Sequence, residues 1–182
     1  MDDARTPTFD ATDATPDRRP LVGGVEIWIA VAIVVCDQAT KAMVRARIPL
    51  HDEVSLIAGL LDLTHVRNTG AAFGMLNGID FPFKAAIIAV VAAIALVAIA
   101  AYAARLAPAQ KMARIGLALI LGGAIGNLID RIAFGYVLDF VDVYWRAYHF
   151  WAFNVADSAI TVGVCVMVLD MLGLGSHVSK TA

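Results

Sequence analysis

The chain has 182 residues, 60% hydrophobic and 16% charged, with a formal net charge of −2 and a mean hydropathy of +0.75. Soluble domains carry about 25% charged residues, so the bilayer is the expected solvent, and a charge balance this close to neutral excludes the basic footprint of a nucleic-acid binder. Cys36, Cys165 and four scattered histidines match no metal or redox spacing, so neither metal nor other cofactor is expected.

Residues 1–20, rich in Asp, Thr, Pro and Arg, are expected to be a disordered tail. They are not expected to act as a signal peptide, because no short apolar region ends there in a small-residue cleavage site. One domain is expected over 21–174, followed by a short cytoplasmic tail at 175–182. About 20 apolar residues cross a bilayer as a helix, and four segments qualify. The first, 24–44, is interrupted by Asp37 and Lys41. Four residues apart, these share a helix face, either as an ion pair orienting the span or as part of a site, with Gln38 and Thr40 as nearby donors. Residues 47–83 alternate (Val54-Ser55-Leu56-Ile57, then Leu61 to Val66) between glycines 59, 70, 74 and 78. That pattern predicts a small β-rich unit on the membrane surface. Its stretch from Arg67 to Gly74 is small and Gly-rich. It reads either as an ordinary turn or as a loop that lets a ligand near the backbone, with Asn68 able to hydrogen-bond a substrate.

The second span, 85–104, has no charge. The third, 112–132, carries Gly122 and Gly126 at a spacing that lets helices approach closely. Asn127 and Asp130, three apart, face one way, with Arg131 adjacent. Asp130 reads equally well as a catalytic acid and as a buried anchor. Residues 135–152 form an amphipathic stretch with Tyr136, Tyr144, Trp145, Tyr148 and Trp151, aromatics suited to headgroup level, and with Asp139. The fourth span, 153–172, begins with Asn154 and Asp157, three apart and expected on one helical face. Asp157 reads as a site residue or, if the helix starts there, as an N-cap. Asp142 and Asp170 read as solvated or headgroup-level charges.

Lys and Arg favour the cytoplasmic side. Arg5, Arg18, Arg19, Arg105, Lys111, Arg114 and Lys180 fall on one side of four spans; Arg67 and Arg146 fall on the other, with Arg45, Arg47 and Lys84 at its membrane edge. Both termini are therefore expected in the cytoplasm, with the aspartate cluster outside. Charges at membrane depth are costly and mark sites or pathways. If the third and fourth spans pack antiparallel, Asp139 and Asp157 approach each other. Two close carboxylates cannot both ionise cheaply, so one serves as acid and the other as base. A rival reading is a small polytopic transporter or proton-relay protein, which uses intramembrane Asp and Lys as readily. No His-Glu-x-x-His, Gly-x-Ser-x-Gly or P-loop pattern supports another hydrolase or a nucleotide site.

Five motifs in order resemble the lipoprotein signal peptidases, the bacterial signal peptidase II family. They are Asp37-Gln38-Ala39-Thr40-Lys41, Asn68-Thr69-Gly70-Ala71-Ala72-Phe73, Gly126-Asn127-Leu128-Ile129-Asp130-Arg131, Val137-Leu138-Asp139-Phe140 and Phe153-Asn154-Val155-Ala156-Asp157. The resemblance covers about residues 24–172. It implies an inner-membrane aspartyl endopeptidase that cleaves diacylglyceryl-modified prolipoproteins just before the lipidated cysteine. It also implies Asp139 and Asp157 as the catalytic pair. Asp37, Lys41, Asn68, Gly70, Asn127, Asp130, Arg131, Asn154 and Ala156 would support the site or hold substrate. The expected whole is an all-α membrane protein with four transmembrane helices and a small periplasmic β-rich unit between the first two. It is taken as a monomer whose partners are the lipidated substrate and membrane lipid.

Overall fold

The computed structural model describes residues 24–70, 75–76, 78–79 and 81–173. The two expected tails and residues 71–74 of the Gly-rich loop lie outside the described residues. In chain order the elements are α1 (Gly24–Arg47), β1 (Glu53–Ile57), β2 (Leu61–Asn68), α2 (Lys84–Ala103), α3 (Lys111–Phe134), β3 (Val137–Trp145), β4 (Tyr148–His149) and α4 (Val155–Met171). By length and composition α1, α2 and α3 can each cross a membrane; α4 has 17 residues. Along α2 only Lys84 is fully buried, and Ile87, Val90, Val91, Ile94 and Val97 are exposed, an aliphatic face suited to lipid rather than water.

The central helix is α3, which packs against α1, α2 and α4. Small residues allow this. A Cβ on Gly116 would lie 2.9 Å from the Gly163 carbonyl oxygen, and one on Gly122 would lie 2.9 Å from that of Ala30. Gly116 faces Gly163 while Gly123 faces Ala156, so α3 and α4 run antiparallel. Arg114 pairs with Glu26 at one end of α1 and Asp130 with Lys41 near the other, so α1 and α3 run parallel. Without a hydrophobic force between helices in lipid, such close backbone contact and buried polar pairing hold a bundle together.

The strands form one antiparallel sheet in the order β1-β2-β3-β4. The expectation of an all-α chain with its β unit confined between the first two helices is corrected here. Residues expected as an aromatic interfacial stretch supply β3, which pairs along β2 with Val66 opposite Asp139 and Asn68 opposite Val137. The reason lies in Val137, Leu138, Phe140, Val141 and Val143, branched and aromatic residues that fit a pleated surface. Val44 and Ile48 at the end of α1 pack on Leu138 and Phe140, fixing the sheet to the bundle. Asp142, expected to be solvated, accepts a 2.8 Å contact from His149 Nδ1 and is largely covered.

Candidate active site

The start of α4 is organised by its polar residues. Asn154 is the N-cap: its side chain accepts the Asp157 N–H at 2.9 Å, and Asp157 Oδ2 accepts the Asn154 N–H at 3.2 Å, a capping box. The two residues are thus cap and first-turn partner rather than neighbours on a helix face, which corrects both the shared-face expectation and the Asp157 N-cap alternative. A third free N–H, that of Ala156, donates to Asp37 Oδ1 of α1 at 3.0 Å. Helix N-termini leave such donors without intrahelical partners, and here the Asn154 amide oxygen and the Asp157 and Asp37 carboxylates take them.

The chain just before α4 folds back on β3. Phe153 accepts N–H groups from Phe140 and Val141 and donates to the Val141 carbonyl. This backbone stitching puts Asn154 beside Asp139, and Asn154 Nδ2 donates to Asp139 Oδ1 at 2.7 Å. Asp139 Oδ2 accepts from Asn68 Nδ2 at 3.0 Å. Asn68 in turn accepts the Gly70 N–H at 3.0 Å, and the Gly70 carbonyl takes Arg131 Nη2 at 3.1 Å. Asn127 Nδ2 donates to Asp157 Oδ1 at 2.8 Å. Burial pushes the Asp139 carboxyl up to about 7; the neighbouring Asp157 charge adds to the rise, and the Asn68 and Asn154 amides and the Lys41 charge oppose it. Removing water disfavours the charged form, while a nearby like charge does the same.

Behind these residues lies a fully buried charge cluster. Lys41 Nζ contacts Asp37 Oδ2 at 2.8 Å, Asp130 Oδ2 at 3.1 Å and Asn127 Oδ1 at 2.9 Å. The Asp37–Lys41 pair expected from spacing is formed. Asp130 accepts the Leu138 N–H at 3.1 Å and approaches Gln38 and Arg45. It anchors the entry to β3, not Arg131, which bonds the Asn127 and Gly70 carbonyls instead.

A cavity of about 580 Å³ opens over Asp139 and Asp157, bordered also by Asn68, Asn127 and Arg131. Its opposite wall is apolar: Phe150, Trp151, Phe153, Ile160 and Val162. Asp37, Lys41 and Asp130 do not line it. Two carboxyls at one end of a largely apolar cleft suit acid–base chemistry on a chain that is partly lipid or signal-peptide-like. A larger cavity, about 660 Å³, between α1, α2 and α3 is aliphatic apart from Glu26 and Arg114, which bond each other at 2.6 Å; it offers no reactive pair. Sequence reading missed Lys84, whose Nζ donates to the Leu76 carbonyl at 2.6 Å and Thr69 Oγ1 at 3.3 Å, tying α2 to the loop that carries Gly70. A lone lysine opening an otherwise chargeless helix was the available signal. It also missed the apolar wall from 150 to 153, since exposed aromatics there read equally as headgroup anchors.

Residues 29–173 match the family model described as signal peptidase (SPase) II. The chain is 45% identical over 148 residues to a lipoprotein signal peptidase of Geobacter metallireducens, covering 80% of this chain and 88% of that protein. It is 45% identical over 149 residues to one of Symbiobacterium thermophilum, covering 81% and 94%. A solved structure described as a bacterial membrane enzyme determined by the in meso method at 2.3 Å resolution superposes with a TM-score of 0.76 at 33% identity, covering 87% of this chain and 94% of that one.

Proposed function

The chain belongs to the signal peptidase II family, and from that membership we propose how it works: as an aspartic endopeptidase whose catalytic pair is Asp139 and Asp157. It removes signal peptides from prolipoproteins. The substrate carries diacylglycerol on the cysteine that follows the scissile bond. The transporter reading has no support among the similar proteins.

One observation carries the mechanism. Asp139 and Asp157 border the same cavity and are tied through a single residue, Asn154, which donates to Asp139 from its amide and exchanges two hydrogen bonds with Asp157. One carboxyl keeps a proton; the other is ionised and takes a proton from water as the water oxygen attacks the scissile carbonyl carbon. The protonated partner donates toward the carbonyl oxygen. When the tetrahedral intermediate collapses, the C–N bond breaks and the leaving amine is protonated. An Asp139 carboxyl near 7 suits the proton-carrying role. Arg131, between the Gly70 carbonyl and the Asn127 turn, braces the loop above the cavity. Among the expected supporting residues, Asp37, Lys41 and Asp130 act from behind, and Ala156 contributes its N–H and close packing.

We further read α4 as a fourth span, with both termini in the cytoplasm of a bacterial inner membrane. The sheet and cavity then face the periplasm, and the protein acts as a monomer in lipid. The acyl chains of the substrate remain against the apolar wall while the peptide extends over the carboxyls. The test is cleavage of a diacylglyceryl-modified prolipoprotein peptide by detergent-purified protein. Activity should need the acyl chains and survive a metal chelator. Asp139→Asn and Asp157→Asn should each cut turnover by roughly 10²- to 10⁴-fold or more while the chain still inserts. Asp130→Asn should leave measurable activity; if it alone abolishes cleavage while Asp139→Asn does not, the wrong partner has been assigned.

A further inference from the structure

Lys41 lies behind the cavity, fully buried, and its ammonium meets three acceptors: Asp37 Oδ2, Asp130 Oδ2 and Asn127 Oδ1. An ammonium donates three hydrogen bonds and accepts none. The Asn127 atom facing it must therefore be the carbonyl oxygen, which also takes Asn154 Nδ2 at 3.2 Å. With that oxygen held, Nδ2 of Asn127 faces Asp157 Oδ1. The other two asparagines are pinned in the same sense, but by backbone. The Asp157 N–H holds Asn154 Oδ1 and the Gly70 N–H holds Asn68 Oδ1, and both turn their NH2 groups onto Asp139. All three amides thus present donors to the carboxyl pair, each because a donor-only group occupies its oxygen. Lys41 is the one charged group among these pins, and on the Asn127 oxygen it is closer, at 2.9 Å, than Asn154 Nδ2.

We propose that Lys41 is a positioning residue for the hydrolysis: through Asn127 it decides which end of that amide faces Asp157, and so keeps a hydrogen-bond donor on that carboxyl through the reaction. This rests on the catalytic-pair reading above and assigns the buried lysine more than neutralisation of Asp37 and Asp130. The charged groups around Asn127 are Asp37 and Lys41 from α1, Asp130 and Arg131 from α3, Asp139 from β3 and Asp157 from α4, with Arg45 reaching Asp130; from β2 the site takes the uncharged Asn68. The Lys41 charge also holds the Asp139 carboxyl down, so its loss should move the alkaline limb of the pH–rate profile upward.

The experiment is a double-mutant cycle on the full chain in detergent, with the lipidated prolipoprotein peptide as probe. Lys41→Gln lets the Asn127 amide turn over. Asn127→Asp keeps an acceptor toward Lys41 and Asn154 but removes the donor to Asp157. Each should lower kcat by roughly 10²-fold, the cost typical of losing one fixed donor at a reacting centre, with little change in KM. The double variant should fall scarcely below Asn127→Asp, because both changes cut one route. Lys41→Arg, also donor-only, should recover most of the Lys41→Gln loss. Additive losses, or wild-type kcat and pH profile in Asn127→Asp, would overturn the proposal. If Lys41→Gln does not fold, Asn127→Asp decides by itself, since it leaves Lys41 in place. A wild-type chain that leaves the lipidated peptide intact sinks the functional reading and the proposal together; an active wild type with an unimpaired Asn127→Asp sinks the proposal alone.

Discussion

Asp139 and Asp130 are both buried carboxylates, yet their surroundings set them to different tasks. Asp130 has Lys41 and Arg45 beside it and a backbone N–H in hand. Asp139 has amide donors and a second carboxyl as neighbours, and burial dominates. The folded chain therefore holds the Asp139 proton to about pH 7, whereas an unfolded chain releases it near 4. Between those limits the folded state binds more protons than the unfolded one, so this group's contribution to stability falls as pH rises through the window. Asp139→Asn removes that dependence. Its melting temperature relative to wild type should climb between pH 4 and pH 7, and a flat difference would show that Asp139 is not desolvated. Cleavage by wild type should decline above about pH 7, as the pair loses its shared proton. Motif order in the sequence pointed to Asp139 through a family resemblance. Spacing alone left Asp130 level with it, because which carboxylate meets a lysine and which meets amides depends on tertiary contacts, Lys41 with Asp130 and Asn68 with Asp139, the latter 71 residues apart along the chain.

At the scale of elements, α4 shows how local and distant demands meet. Asn154 caps the helix and also reaches Asp139, and these roles separate experimentally. Serine caps nearly as well as asparagine but is too short to bridge, whereas alanine does neither. Asn154→Ser should be about 1 kcal/mol more stable than Asn154→Ala by thermal unfolding, with both equally poor in turnover. Equal melting temperatures would argue against the cap. The contact of α3 with α4 is as exacting. A side chain on Gly163 would run into the Gly116 carbonyl and Ile120, so Gly163→Val should depress activity although Gly163 does not itself line the cavity. The four apolar runs were legible as helices, since length and hydropathy are properties of a segment by itself. The strand at Val137–Trp145 was not: its aromatics and charges fit an interfacial stretch equally well, and only pairing with Leu61–Asn68 separates the two. The Gly-rich loop was legible in part, through Asn68 and Gly70, while the Lys84 tether was read only as a charge at the membrane edge.

For the molecule as a whole, the exposed surface says where lipid should lie. Cys36 and Cys165 are both exposed, midway along α1 and α4. With four spans, both thiols face hydrocarbon. A charged, impermeant maleimide should leave both unlabelled in intact vesicles, while a permeant one labels them after detergent extraction. Rapid labelling of Cys165 by the impermeant reagent would place α4 outside the bilayer. The pairing of Asp37 with Lys41 one turn apart also bears on biogenesis. Of the described helices, α1 leaves the ribosome ahead of the others and carries Asp37 and Lys41 with it, long before Asn127, Asp130 or the Ala156 N–H has been synthesised. Because those two groups neutralise each other within a single turn, that helix can enter and wait. When α4 is made, it finds a carboxylate ready to receive its leading turn, so the site is completed only once α4 has joined α1 and α3.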